Sequence, residues 1–175
     1  NPTLQTYGYT GDQNTEKRHS IRIGRITKDI TDSDDDGISL SGINIAYQFN
    51  VDEHVAFYAE YNNADFDSMV EDGDYYEYES TPYDDLSYKG FEVSAILSTN
   101  NYQGWQFYAG LGLFNEQFNS GNPFIKNAEG VVVTLGMGYS WQTVQLQLRV
   151  SGHGSSDYGD DMSSSNTALQ LAFNY

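Results

Sequence analysis

Cysteine is absent from this chain, and proline occurs only three times in its 175 residues. Without Cys there are no disulfides and no thiolate metal sites, which excludes a small secreted fold stapled by cross-links. Cations are scarce as well. Eight Lys and Arg stand against 25 Asp and Glu, a formal net charge of −17, and the isoelectric point is near 4.1. That balance excludes a nucleic-acid partner, whose phosphates need Lys and Arg. No stretch reaches 18 consecutive apolar residues, so no transmembrane helix is on offer. No signal peptide is seen; an exported protein would be read here after cleavage, which Asn1 suits.

What is present is Gly (17 residues), Tyr (15 residues) and short alternating runs. In VVVTLGMGYSWQTVQLQLRV (Val131–Val150), one parity carries Val131, Val133, Leu135, Met137, Tyr139 and Trp141. After a tight turn the other parity takes over with Val144, Leu146, Leu148 and Val150. This is the period of two β-strands. Alternation and turn residues predict eight strands, at about 19–28, 38–49, 54–62, 87–98, 105–115, 130–141, 143–151 and 166–175. Connections near 50–53, 99–104 and 141–143 are short, and those at about 29–37, 63–86, 116–129 and 152–165 are long. A water-soluble barrel has no reason for that alternation, whereas an outer-membrane barrel has short periplasmic turns and long outer loops. An even strand count also puts both termini on the periplasmic side.

The strand faces carry the same expectation. The apolar faces include Ile43, Ile45, Tyr47 and Phe49; Phe57, Ala59 and Tyr61; Phe91, Val93, Ala95 and Leu97; and Trp105, Phe107, Ala109, Leu111 and Leu113. The opposite faces of three strands read Gln106, Tyr108, Gly110, Gly112; Thr134, Gly136, Gly138, Ser140; and Gln145, Gln147, Arg149, Ser151, with one charge among the twelve. A water-facing surface would be rich in Lys and Glu; small and amide residues suit a crowded barrel interior. The apolar face therefore looks at lipid. Tyr47, Phe49, Trp105, Phe107, Tyr139, Trp141, Phe173 and Tyr175 gather beside the short turns or the C-terminal end, as an interfacial girdle would. The predicted fold is all-β: an eight-stranded antiparallel up-and-down transmembrane β-barrel over 19–175, with 1–18 as an N-terminal extension.

YAGLGLF (Tyr108–Phe114), AFYAEY (Ala56–Tyr61) and the ending LQLAFNY (Leu169–Tyr175) resemble the small outer-membrane barrels of the OmpA/OmpX type. The resemblance implies an outer-membrane location in a Gram-negative bacterium. It makes Leu169, Leu171, Phe173 and Tyr175 the signal read by the outer-membrane insertion machinery, and lipid and lipopolysaccharide the surroundings. It says little about activity, since such barrels include adhesins, stress-resistance proteins, anchors and a few lipid enzymes. No peptidoglycan-binding domain follows Tyr175, so anchoring of that type is not expected.

By parity Arg22, Glu60, Glu92 and Arg149 point into the barrel, with Tyr58 and Tyr108 near them; buried charges need partners. This network is read as a structural plug or, alternatively, as a small gated channel. A wide porin-like channel does not fit eight strands. Of the 25 acidic residues, 19 lie in the four long connections. The segment 63–85 alone combines Asp72, Asp74 and seven other acids with Tyr75, Tyr76, Tyr78 and Tyr83, without Lys or Arg. Tyr supplies contact area at low entropic cost, and acidic clusters attract cations or basic partners. DSDDDG (Asp32–Gly37) matches the start of a calcium loop through Asp32, Asp34 and Asp36, but position 43 is Ile rather than the closing Glu, and an Asp-Gly hairpin turn reads equally well. Ca²⁺ at the outer loops is the one cofactor expectation.

In SGHGSSD (Ser151–Asp157), His153 and Ser155 superficially resemble the His-x-Ser pair of lipid A deacylase barrels. That family's pair faces lipid and precedes an Asn-Ala dipeptide; here Ser156 and Asp157 follow, and parity points His153 inward unless Gly152 forms a bulge. The functional expectation is a non-enzymatic surface protein presenting acidic, Tyr-rich loops to a ligand, a cation, or an extracellular or envelope protein. A lipid A-modifying hydrolase and a small gated channel are the alternatives.

Overall fold

The computed structural model describes residues 18–34, 36–71, 74–76, 84–119, 127–141, 143–158 and 162–175. Among these, nine strands occur: β1 (His19–Thr31), β2 (Gly37–Asn50), β3 (Val55–Glu71), β4 (Asp74–Tyr76), β5 (Ser87–Ser98), β6 (Gly104–Asn119), β7 (Ala128–Trp141), β8 (Val144–Gly154) and β9 (Ser163–Asn174). All except β4 form one closed antiparallel barrel. Sequence neighbours pair around it, β1 pairs with β9, and the β2–β3 pairing completes the ring. The short β4 pairs back onto the outer end of β3. The eight predicted strands are all present.

The inner halves of the strands alternate as lipid-exposed walls require. Leu111 and Leu135 are each 62% exposed, while Thr134 is 0% and Gln147 2% exposed. Strand β7 carries its outward apolar residues from Val131 to Trp141. At about 3.4 Å per residue and a tilt near 40°, that is roughly 26 Å along the barrel axis, matching an outer-membrane apolar band of about 25 Å. The short turns are locally capped: the Asp52 carboxylate accepts the backbone N–H groups of His54 (2.7 Å) and Val55 (2.8 Å). These two bonds hold the exposed Asp52 carboxyl below the usual aspartate range.

The outer halves behave differently from the expected polar interior. On β1, Ile21 and Ile23 face out and Arg22 faces in; farther along, Ile26 and Ile30 are buried and Arg25 is exposed. The same exchange occurs on β2 (Ile43 and Ile45 out, Ile38 and Leu40 in) and on β5 (Phe91 and Val93 out, Tyr88 in). Ile26, Ile30, Ile38, Leu40, Ala64, Leu86 and Tyr88 form a buried apolar cluster, with Phe66 and Phe118 against it. The cause is the solvent outside the wall. Where that solvent is hydrocarbon, apolar side chains go outward; where it is water, they go inward, as in a soluble barrel. The strands therefore rise past the lipid as a water-exposed collar with its own core.

This inversion also moves the strand ends. Strand β3 continues to Glu71 rather than ending near 62, β6 to Asn119 and β8 to Gly154. The outer connections start correspondingly later than 63, 116 and 152. A bulge sits in the collar, where Ser39 faces Ser68 but Leu40 faces Phe66, leaving Asp67 as the extra residue.

Candidate functional site in the lumen and at its outer mouth

Three tiers of polar side chains fill the lumen. In the middle tier Arg149, 2% exposed, bridges two carboxylates, Glu60 Oε2 at 2.5 Å and Glu92 Oε2. Glu60 also accepts hydrogen bonds from Asn44 (3.0 Å), Asn62 (2.9 Å), Tyr58 (2.5 Å) and Gln170 (2.8 Å). Glu92 Oε1 is shared by His153 Nε2 (2.8 Å) and Asn166 (2.9 Å). The four residues that parity placed inside are all there, and Arg149, Glu60 and Glu92 meet. Arg22 lies apart, toward the short-turn end, bonded to Gln48 (2.6 Å) and Gln145 (3.5 Å).

The tier nearest the outer mouth was not read from the sequence. Lys28 pairs with Glu116, both fully enclosed, and Lys28 Nζ lies 3.4 Å from His153 Nδ1. Tyr158, in the connection between β8 and β9, reaches down to donate to Glu116 Oε2, and its ring stacks on Phe114 at 6.3 Å. Burial and the Glu116 carboxylate push the Tyr158 phenol well above its ordinary value, so it stays a donor. Extending the parity of Arg22 through Ile26 to Lys28 would have placed Lys28 inside; the predicted strand ended at that residue. The buried charges of the described residues are then Arg22, Lys28 and Arg149 against Glu60, Glu92 and Glu116.

His153 is an interior side chain, and β8 keeps regular register with β7 through Gly154, so no bulge turns it outward. The hydroxyl of Ser155 donates to the Glu129 carbonyl (2.5 Å) and lies 3.2 Å from Asp157 Oδ2. The ring nitrogens of His153 thus face Glu92 and Lys28, while the Ser155 hydroxyl is committed elsewhere. A nucleophile and its base would be bonded to each other.

At the β1–β2 connection, the Asp32 carboxylate accepts the backbone N–H groups of Asp34 (2.9 Å) and Asp36 (3.1 Å), and the backbone N–H of Asp32 donates to the Asp36 carbonyl at 2.8 Å. Asp32 therefore closes the hairpin. Among the described residues no group of three His, Asp or Glu side chains is arranged to hold a metal ion. Asp74, Tyr75 and Tyr76 lie exposed on β4, and Tyr75 bonds to Asp29. Asp72, Tyr78 and Tyr83 lie outside the described residues. Leu169, Leu171 and Phe173 face outward on β9, and Tyr175 stacks on His19 at 5.6 Å, within the aromatic girdle. His19 in turn bonds to the Tyr47 hydroxyl at 2.6 Å.

No family model matches the sequence, and no curated protein does. Solved structures do match. Ail, the attachment invasion locus protein of Yersinia pestis, is 14% identical over 91% of this chain and 99% of its own, with a TM-score of 0.59. Neisserial surface protein A is 16% identical over 90% of this chain and 97% of its own, with a TM-score of 0.61. The N-terminal β-barrel domain of Pseudomonas aeruginosa OprF is 13% identical over 89% and 97%, with a TM-score of 0.52. Ail has also been crystallised in complex with the heparin analogue sucrose octasulfate. At such identities the likeness is one of fold: the chain has the fold of the small eight-stranded outer-membrane β-barrels.

Proposed function

We propose that this chain is a Gram-negative surface barrel without enzymatic activity, whose acidic outer connections bind cations or a basic partner. The observation that carries this reading is the placement of charge: 19 of the 25 acidic residues fall in 29–37, 63–86, 116–129 and 152–165, the collar ends of the strands and the connections beyond them. Among the described residues of these segments only Glu116 is a buried lumen charge. The aromatic girdle beside the short turns and the water-exposed collar at the opposite end support an orientation with termini and short turns periplasmic and long connections extracellular. Exposed Tyr75 and Tyr76 add contact area to the acidic surface. The polyanion bound by Ail is a poor guide here, because like charge disfavours a sulfated sugar on this surface. The separation of His153 from the Ser155 hydroxyl argues against a hydrolase, and the filled lumen argues against an open channel.

Confining this many acids within about a Debye length, roughly 8–10 Å, raises self-repulsion that cations relieve. With no converging three-ligand cluster among the described residues, any Ca²⁺ response is spread over several connections. The test uses the full chain in lipid nanodiscs, titrated calorimetrically with a lysine-rich peptide, with Ca²⁺ and with sucrose octasulfate. The peptide and millimolar Ca²⁺ are expected to bind and the octasulfate not to. Asp34→Ala combined with Asp36→Ala should remove part of the Ca²⁺ signal. Octasulfate binding, or cation effects no larger than those of NaCl at equal ionic strength, would overturn the reading.

A further inference from the structure

The three cations in the lumen are not treated alike. Arg149 contacts Glu60 and Glu92, and Lys28 contacts Glu116. Those three are the buried carboxylates of the described residues, so all are engaged. Arg22, 1% exposed, has no carboxylate in contact. Its Nη2 donates to Gln48 and Gln145, whereas Nε and Nη1 have no partner among the described residues. The Tyr58 ring lies between Arg22 (5.7 Å from its centroid) and Arg149 (4.7 Å), so the aromatic face softens the charge without cancelling it.

The surroundings of Arg22 are neutral and rich in donors. Ser20, two residues earlier on the same inward face of β1, has an unpartnered hydroxyl. Gln145 accepts from Arg22 and donates to Gln106 Oε1 at 2.5 Å, which leaves the Gln106 amide N–H₂ free as a donor. Asn50 and Asn174, farther toward the short-turn end, are likewise buried and uncharged. A buried, unpaired cation is costly. A water molecule would fill its hydrogen bonds but bring no negative partner into contact with it.

We infer that the periplasmic-side half of the lumen binds a small monovalent anion of halide size at Arg22, with Ser20 and Gln106 as supporting donors. The six buried charges of the described residues sum to zero, but two of the carboxylates sit on Arg149. One monovalent anion would give Arg22, the buried guanidinium without a carboxylate in contact, a direct partner, and the filled lumen favours an ion the size of chloride over a phosphate or a carboxylic acid. The guanidinium, the amide N–H₂ and the hydroxyl can all donate to an anion, and the positive charge of Arg22 disfavours a cation beside it.

The test compares unfolding temperatures of the full chain in detergent in KCl, KBr and potassium gluconate at equal ionic strength. For the wild type, the midpoint should rise with the logarithm of halide concentration, as for a ligand bound only by the folded state, and not with gluconate. Arg22→Met should abolish the halide dependence, and Gln106→Leu, which keeps the charge, should weaken it. Crystals grown in bromide should show an anomalous peak beside Arg22. Equal midpoints in chloride and gluconate, an unchanged halide response in Arg22→Met, or no bromide peak would each overturn the site. If Arg22→Met does not fold, Gln106→Leu and the wild-type bromide peak decide.

Discussion

Replacing Arg149 with Ala removes the one cation that joins β3, β5 and β8 across the lumen. The guanidinium contacts Glu60 and Glu92, approaches the Tyr58 hydroxyl at 3.4 Å and Thr134 Oγ1 at 3.5 Å, and stacks over the Tyr58 ring. Removing one partner of a buried pair costs about 3–5 kcal/mol, chiefly by stranding the other charge. Here two carboxylates are stranded, but neither is left bare. Glu60 keeps Asn44, Asn62, Tyr58 and Gln170, and Glu92 keeps His153 and Asn166. The expected loss therefore stays near about 3–5 kcal/mol rather than doubling, a large share of an ordinary domain stability of about 5–15 kcal/mol. Urea unfolding of the refolded barrel in detergent, followed by tryptophan fluorescence, reads the shift. Arg149→Ala with Glu60→Gln and Glu92→Gln should recover much of it, because the orphaned charges are gone. If the single variant unfolds at the wild-type urea concentration, or the triple variant is no more stable than the single, the electrostatic account of the middle tier is wrong.

Three further outcomes are expected. Tyr175→Ser should lower the amount of barrel assembled in the outer membrane while leaving the detergent-refolded protein unchanged, read by surface labelling against circular dichroism. Gly136→Ala should cost about 1–3 kcal/mol by overpacking, since a Cβ there would overlap the Tyr108 ring; adding Tyr108→Ala should make the second step cheaper than it is in the wild-type background. Asp52 should contribute stability that is full well above the ordinary aspartate value of 3.8 and lost as pH falls below it, because its folded-state pKa is the lower one. Asp52→Ala should flatten the acid limb of the urea-midpoint profile, and an unchanged profile would count against the turn cap.

The parts of this fold legible in the sequence are those surrounded by one solvent. From Val131 to Val150 hydrocarbon lies outside and polar side chains inside, and period-two alternation gives strand, face and turn together. In the collar the same alternation continues with its sign reversed. Asn63, Ala64 and Asp65 then read as loop, although they pair in register with Ile43, Gly42 and Ser41. Ile26, Ile30 and Leu40 pack inside for the same reason. Parity placed Arg22 and Arg149 correctly but says nothing of height along the barrel, so it could not distinguish the doubly paired Arg149 from the unpaired Arg22. Nor could it bring Lys28 to Glu116, which are 88 residues apart in sequence. Chemistry-like spacing misled in the other direction: His153 and Ser155 are two apart and would share a face if the strand continued, but β8 ends at Gly154, which leaves the histidine in the lumen and the serine beyond the strand.

The central claim is that the exposed apolar belt faces lipid and that the strand faces exchange at its outer edge. Because the chain has no native Cys, single cysteines at Ile21, Ile23, Arg25, Thr27 and Asp29 can carry nitroxide labels without background, and their collision rates with oxygen and with a water-soluble nickel chelate can be compared in bilayers. Labels at Ile21 and Ile23 should be oxygen-accessible and shielded from nickel, the label at Arg25 should mark the boundary, and labels at Thr27 and Asp29 should be nickel-accessible. Nickel-accessible labels at Ile21 and Ile23, or lipid-shielded ones at Thr27 and Asp29, would contradict it.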